Sequence, residues 1–144
     1  MTAPSLNLIK LCVGAGSIQD LIDWQITPQA KGHDGKPRHV TRMWPRRFDE
    51  LLNGGSLFWV IKGHILCRQK LIRFDEVIGL DGIKRCGIVL DPQLIKTHAV
   101  PKRPFQGWRY LKSIDAPFDL SNQLEEENAF PAELERSLNN IGIR

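Results

Sequence analysis

The run SLFWVIKG, residues 56–63, constrains the fold most. Leu57 to Ile61 are five consecutive apolar residues, mostly β-branched or aromatic, and Gly63 closes them off. A run this short, without a polar face and ended by glycine, reads as a strand covered on both sides. Such a strand needs a closed or well-covered sheet around it. HILCRQKLIRFDEV (64–77) follows at once as a long strand of mixed pattern. GLDG is a hairpin signal, and IKRCGIVLD returns as the next strand, ended by Asp91-Pro92. A chain of 144 residues forms one domain by default and buries a proper core without covalent staples.

The other elements surround this centre. LNLIKLCVG (6–14) reads as a first buried strand, interrupted by Lys10 and closed by Gly14 and Gly16. Ser17 has the place of an N-cap, with Asp20 three residues on and Ile18, Leu21, Ile22 and Trp24 near helical spacing. TPQAKGHDGKP is a loop by its Gly and Pro content. RHVTRMW (38–44) reads as a strand limited by Pro45, and PRRFDELLNGG has proline at its start and Gly54-Gly55 as its stop, the grammar of a helix. KTHAVPKRP is expected as a basic crossing without strand structure, and FQGWRYLK (105–112) as the last strand. DAPFDLSNQLEEENAFP is acidic and irregular, and PAELERSLNNIG (131–142) is a short helix. The pattern predicts an α+β domain, a small mixed β-barrel with two or three short helices.

Charge divides the chain into a body and a tail. Residues 1–112 hold 18 Lys+Arg against 9 Asp+Glu, a net of +9, whereas residues 113–144 hold 2 against 7, a net of −5. The boundaries expected are a basic domain over 1–112 and an acidic extension with a short helix over 113–144. Such asymmetry fits a polyanion partner with the tail as internal competitor, or a tail that merely neutralises the body. The three cysteines, Cys12, Cys67 and Cys86, are odd in number and lack CxxC spacing. Neither a disulfide framework nor a cysteine zinc site is expected. No run is long enough for a membrane span or flanked like a signal peptide, so the expected location is the cytoplasm, with reduced thiols and no membrane partner.

RHVTRMWPRR (38–47) packs four arginines, a histidine and a tryptophan into ten positions. Strand alternation puts Arg38, Val40, Arg42 and Trp44 on one face and His39, Thr41 and Met43 on the other. Arg46 and Arg47 follow at the start of the next helix. Arginines beside a tryptophan suit phosphate contact with base stacking; the same residues also suit a tryptophan covering one end of the core under snorkelling arginines. Two more basic elements repeat the theme. Arg68, Lys70 and His64 share one face of the long strand, where exposed charge also discourages edge pairing. Around KTHAVPKRPFQGWRYLK, Lys96, His98, Lys102, Arg103, Arg109 and Lys112 surround Phe105, Trp108 and Tyr110. Trp108 and Tyr110 point one way and Arg109 the other. Basic residues interleaved with aromatics fit a single-stranded or flipped-base surface. Trp59, between apolar neighbours, is expected in the core.

Catalytic patterns are absent from the sequence. His33, His39, His64 and His98 are far apart, without HxH or HExxH spacing, and no GxSxG, P-loop or GxGxxG occurs. Cys67 and Cys86 sit among apolar residues, as buried small hydrophobes do. No catalytic residue, metal or cofactor is expected.

At HVTRMWPRR, ELLNGGSLFWVIKG, GIKRCGIVLDP and RPFQGWRYLK the chain resembles an uncharacterised bacterial family, the domain of unknown function fourteen-eighty-nine. The resemblance spans residues 6–112 and brings no established activity. The order of strand, small helix, Gly-Gly, apolar strand and long hairpin also resembles the PUA-like β-barrel group, including ASCH and EVE domains. That resemblance implies a barrel of PUA-like type and binding of RNA or modified bases. GGSLFWVIKG lacks the glutamate of the ASCH signature, which argues against ASCH-type catalysis.

The leading expectation is a non-enzymatic RNA- or nucleic-acid-binding domain. Arg38, Arg42, Arg46 and Arg47 would contact phosphate, joined by Arg68 and Arg109. Trp44 or Trp108 would stack on a base, and Lys62 would point toward a pocket mouth. The alternatives are a hydrolase or nuclease acting on nucleic acid and a protein-interaction module docked through the acidic tail.

Overall fold

The computed structural model describes residues 6–32 and 34–120. The helix expected over 131–142 lies outside them. The chain runs β1 (Leu6–Leu11), α1 (Ile18–Gln25), a 3-10 turn (Pro28–Ala30), β2 (Arg38–Thr41), α2 (Phe48–Leu52), β3 (Ser56–Ile61), β4 (His64–Ile78), β5 (Lys84–Leu90), β6 (Ile95–Pro101), β7 (Trp108–Lys112) and a second 3-10 turn, Ser113–Asp115. Ser17 caps α1 as its sequence predicts, with its hydroxyl accepting from the Asp20 N–H at 3.1 Å. The Asp20 carboxylate returns the bond to the Gly16 N–H at 2.8 Å. This reciprocal pairing satisfies two otherwise unpaired donors at the helix start.

The seven strands form one mixed sheet in the order β2-β5-β4-β3-β1-β7, with β6 added on β4. β1 lies parallel to β3 and antiparallel to β7, and the remaining pairs are antiparallel. The long β4 joins two halves. Its first part pairs with β3 on one side and β6 on the other, and from Leu71 onward it pairs with β5. An extra residue at Ile72 shifts the register within the β4–β5 ladder, just past its first pair. Bulges of this kind bend a strand and sharpen its twist.

β3 is buried along its whole length, as its composition predicts. Leu57, Trp59 and Ile61 face a core shared with Leu6, Leu8, Leu21, Leu51, Cys67, Ile88, Leu90 and Trp108. Phe58 and Val60 face a smaller cluster with Ile9, Ile65 and Leu111. Each fully buried Leu or Ile side chain contributes about 2 kcal/mol of transfer free energy.

Two expectations are corrected here. The sheet does not close into a barrel. β2 ends at Thr41 and Pro45 follows, so no backbone ladder joins β2 to β7 at the opposite margin. Side chains bridge that gap instead. The Trp108 indole N–H donates to the Met43 carbonyl at 2.7 Å, and the Tyr110 hydroxyl accepts from the Arg46 N–H at 2.9 Å. The second correction concerns KTHAVPKRP, most of which is strand β6. Its proline lies at the end of the strand, where it costs little. Its polar residues are exposed while Thr97 is buried. Phe118 and Leu120 then bond to β6 through His98 N–H to Phe118 O and Leu120 N–H to Lys96 O, so the chain covers that strand's far edge itself.

Candidate functional site

A concavity that gathers aromatic and titratable side chains lies at the carboxyl end of β1. It is a cleft of about 450 Å³, lined by residues of the β1–α1 connection, by Lys10 on β1, Asp20, Leu21 and Trp24 on α1, His39 on β2 and Trp59 on β3. Local rules place each of these. Lys10 continues the Leu6–Leu8 face of β1, and its neighbours across the two ladders are Trp59 and Trp108. His39 meets the Trp59 ring edge-on, with centroids 5.9 Å apart and planes at 89°. Trp24 is on the second turn of α1 and remains 46% exposed, so its ring is open to a ligand.

A buried amide pair stands behind the Trp59 wall of this cleft. Gln69 Oε1 accepts from the Trp59 indole N–H and from Gln25 Nε2, both at 2.8 Å. Gln69 Nε2 donates to Gln25 Oε1 at 2.8 Å and to the Asp91 carbonyl at 3.1 Å. Gln69 therefore fills two donor and two acceptor positions while wholly buried. The network fixes the Trp59 ring and pins the end of α1 to the sheet.

The cleft's titratable groups are perturbed by their surroundings. Burial lowers the Lys10 ammonium from its ordinary value. Burial, helped by the charge on Lys10, brings His39 down to about 4, so the imidazole is neutral at pH 7. Burial also pushes the Cys12 thiol up to about 11, Cys86 to about 11 and Cys67 to about 12. Thiols held protonated in this way are poor nucleophiles. Among the described residues no three His, Cys, Asp or Glu side chains gather in a way that would hold a metal ion.

None of the residues expected from the sequence to contact nucleic acid lines the cleft. Lys62 comes nearest. The Lys62-Gly63 loop joins β3 to β4 with φ of 50° and 82°, a two-residue hairpin turn with both residues left-handed. Lys62 is the one non-glycine residue with positive φ among those described. Its side chain lies over Gly16, where a methyl group would stand 3.1 Å from Cε and 3.6 Å from Nζ. This sets its ammonium beside the rim formed by Ala15 and Asp20.

Arg42, Trp44 and Arg46 lie on the strap of residues 42–47 that follows β2. All three are exposed, and neither arginine has an ion pair among the described residues. Arg47 is engaged, with a bidentate pair to Glu50 at 2.7 Å and its guanidinium over the Tyr110 ring. Arg38 lies across β5, where the absent side chain of Gly87 leaves room for its stem. Arg68 is bound bidentately to Asp119 at 2.8 Å and to the Ser56 hydroxyl, beside a separate groove. Arg109 sits over Phe105. Trp108 is 6% exposed with its N–H committed to Met43, so its ring offers no open stacking face. Trp59 is in the core, as expected, yet it also forms a cleft wall. Sequence reasoning missed Lys10, Trp24 and His39 as a group. The visible signal was a lysine interrupting an otherwise apolar strand.

Fold and cleft together define an α+β domain built on a mixed seven-stranded sheet, with an aromatic, lysine-bearing cleft where its first strand ends. No helix among the described residues is long and apolar enough to cross a membrane. Residues 8–144 match the model of a family described as "Protein of unknown function (DUF1489)", and the chain belongs to that family. Searches of the curated proteins and of the solved structures returned no match.

Proposed function

We propose that the protein is a non-enzymatic binder of single-stranded nucleic acid, with RNA the first candidate. One observation carries this reading: Arg42 and Arg46, both without ion pairs among the described residues, flank the exposed Trp44 on a strap leading from the cleft wall. Arg42 is three residues past His39, about 10 Å of extended chain. A strand crossing the strap would meet two guanidinium groups and an aromatic face, the combination that single-strand binders use. Arg47, Arg68 and Trp108 have intramolecular partners and are secondary.

The test is fluorescence anisotropy with single-stranded RNA, duplex RNA and duplex DNA across a salt series. Single strands should bind, with a logarithmic salt slope of about −0.7 per phosphate neutralised. The double variant Arg42→Ala/Arg46→Ala should weaken binding and make the slope shallower by about 1.4, two contacts' worth, with little change in Tm. Absence of binding at low salt would refute the proposal.

A further inference from the structure

The cleft has a chemistry of its own, separate from the strap. Lys10 is half-buried within it, and its ammonium makes no ion pair or side-chain hydrogen bond among the described residues. A partly desolvated cation without a partner is costly and gains from an anion. Asp20, the one carboxylate lining the cleft among the described residues, is already bonded to the Gly16 N–H and belongs to the cap of α1. Lys62 adds a second positive charge at the rim. The walls supply the other half of the recognition. Trp24 presents an open indole, and Trp59 is held rigidly by Gln69. His39 stands edge-on to Trp59, and neither of its ring nitrogens has a partner among the described residues. Its neutral ring can donate one hydrogen bond and accept another. A volume of about 450 Å³ falls in the range of small-ligand sites.

We infer that the cleft is a discrete site for a small planar aromatic molecule carrying one anionic group. The anion pairs with Lys10, the ring lies against the exposed Trp24, and His39 reads the ring's polar edge. A mononucleotide and an aromatic carboxylate share this chemistry. The inference does not depend on nucleic-acid binding by the strap.

Isothermal titration of the full chain tests it, using adenosine, the four common nucleoside 5′-monophosphates, indole-3-carboxylate, inorganic phosphate and a short oligouridylate. At least one nucleoside monophosphate or the aromatic carboxylate should bind, with adenosine and inorganic phosphate each much weaker. Lys10→Met should weaken the bound ligand about tenfold or more, and Lys10→Arg should retain most of the affinity. Trp24→Ala, at an exposed position, should cost about five- to tenfold. Arg42→Ala/Arg46→Ala should leave this small-ligand binding unchanged. Binding of monophosphates alone would identify the ligand as a nucleotide, and binding of the carboxylate alone as an aromatic acid. Affinity for a neutral nucleoside equal to that for its monophosphate would overturn the inference, as would an unaltered Kd in Lys10→Met. Oligouridylate binding with no response to any small ligand would overturn it while leaving the strap reading intact.

Discussion

Replacing Gln69 by leucine removes the hub of the amide network without changing the side chain's size greatly. Gln69 is wholly buried, and its amide serves the Trp59 N–H, both functions of the Gln25 amide and the Asp91 carbonyl. Gln25, at 7% exposed, has limited access to water after the change, and Trp59, at 3%, has almost none. A buried polar group left unpaired costs about 1–3 kcal/mol. Two such groups with partial relaxation give a loss of about 3 kcal/mol, a large share of a typical domain's stability. The corresponding fall in Tm is about 10 °C for a chain of this size. Urea unfolding followed by tryptophan fluorescence measures the loss, and a companion variant makes the argument sharper. In Gln25→Leu/Gln69→Leu both sides of the amide pair become apolar, so only the Trp59 N–H and the Asp91 carbonyl remain unserved. The double variant should therefore be less destabilised than the sum of the two single variants, by about 1 kcal/mol or more. A loss below about 1 kcal/mol in Gln69→Leu, or strict additivity in the pair, would refute the reasoning.

The pH dependence of stability should carry a signature of His39, whose folded pKa of about 4 lies below the ordinary 6.5. Between those values the unfolded chain binds the additional proton, so this contribution is complete above about pH 6.5 and declines as pH falls toward 4. Its slope reaches at most about 1.4 kcal/mol per pH unit. Chemical melts between pH 4 and 7 should show a shallower dependence in His39→Phe than in the parent, and identical slopes would exclude the assignment. Tyr110→Phe deletes the hydroxyl that accepts from the Arg46 N–H. It should cost about 1 kcal/mol and raise amide exchange in residues 42–47 while leaving β3 and β4 protected. Uniform protection across the strap and β3 in that variant would show that the hydroxyl does not hold the strap.

The sequence made the centre of this fold legible because its residues have one physical solution. Leu57 to Ile61 cannot be exposed, and the glycine after them sets the turn. The margins were less legible. The distinction between a closed barrel and an open sheet depends on whether residues 42–47 can pair with β7. Pro45 and two side-chain hydrogen bonds decide that, and neither bond has a sequence pattern. β6 escaped because an edge strand needs few apolar residues: Thr97 is its single fully buried side chain. For the site, the sequence revealed cations and aromatics without their partners. Arg68 and Arg47 looked equivalent to Arg42 and Arg46 until Asp119 and Glu50 were seen beside them. The cleft brings together Lys10, Trp24, His39 and Trp59 from four elements, and only topology makes them neighbours.

The position of β1 has a consequence for how the chain is made. β1 is an interior strand whose neighbours, β3 and β7, begin about fifty and a hundred residues later. At about 5–20 residues per second, translation leaves LNLIKL waiting roughly 5–20 s for its second neighbour. The β3–β4–β5 meander is complete earlier and can pair as it emerges. β1 is therefore made well before it can be enclosed on both sides, and it stays open to chaperone capture for longer than the strands of that meander.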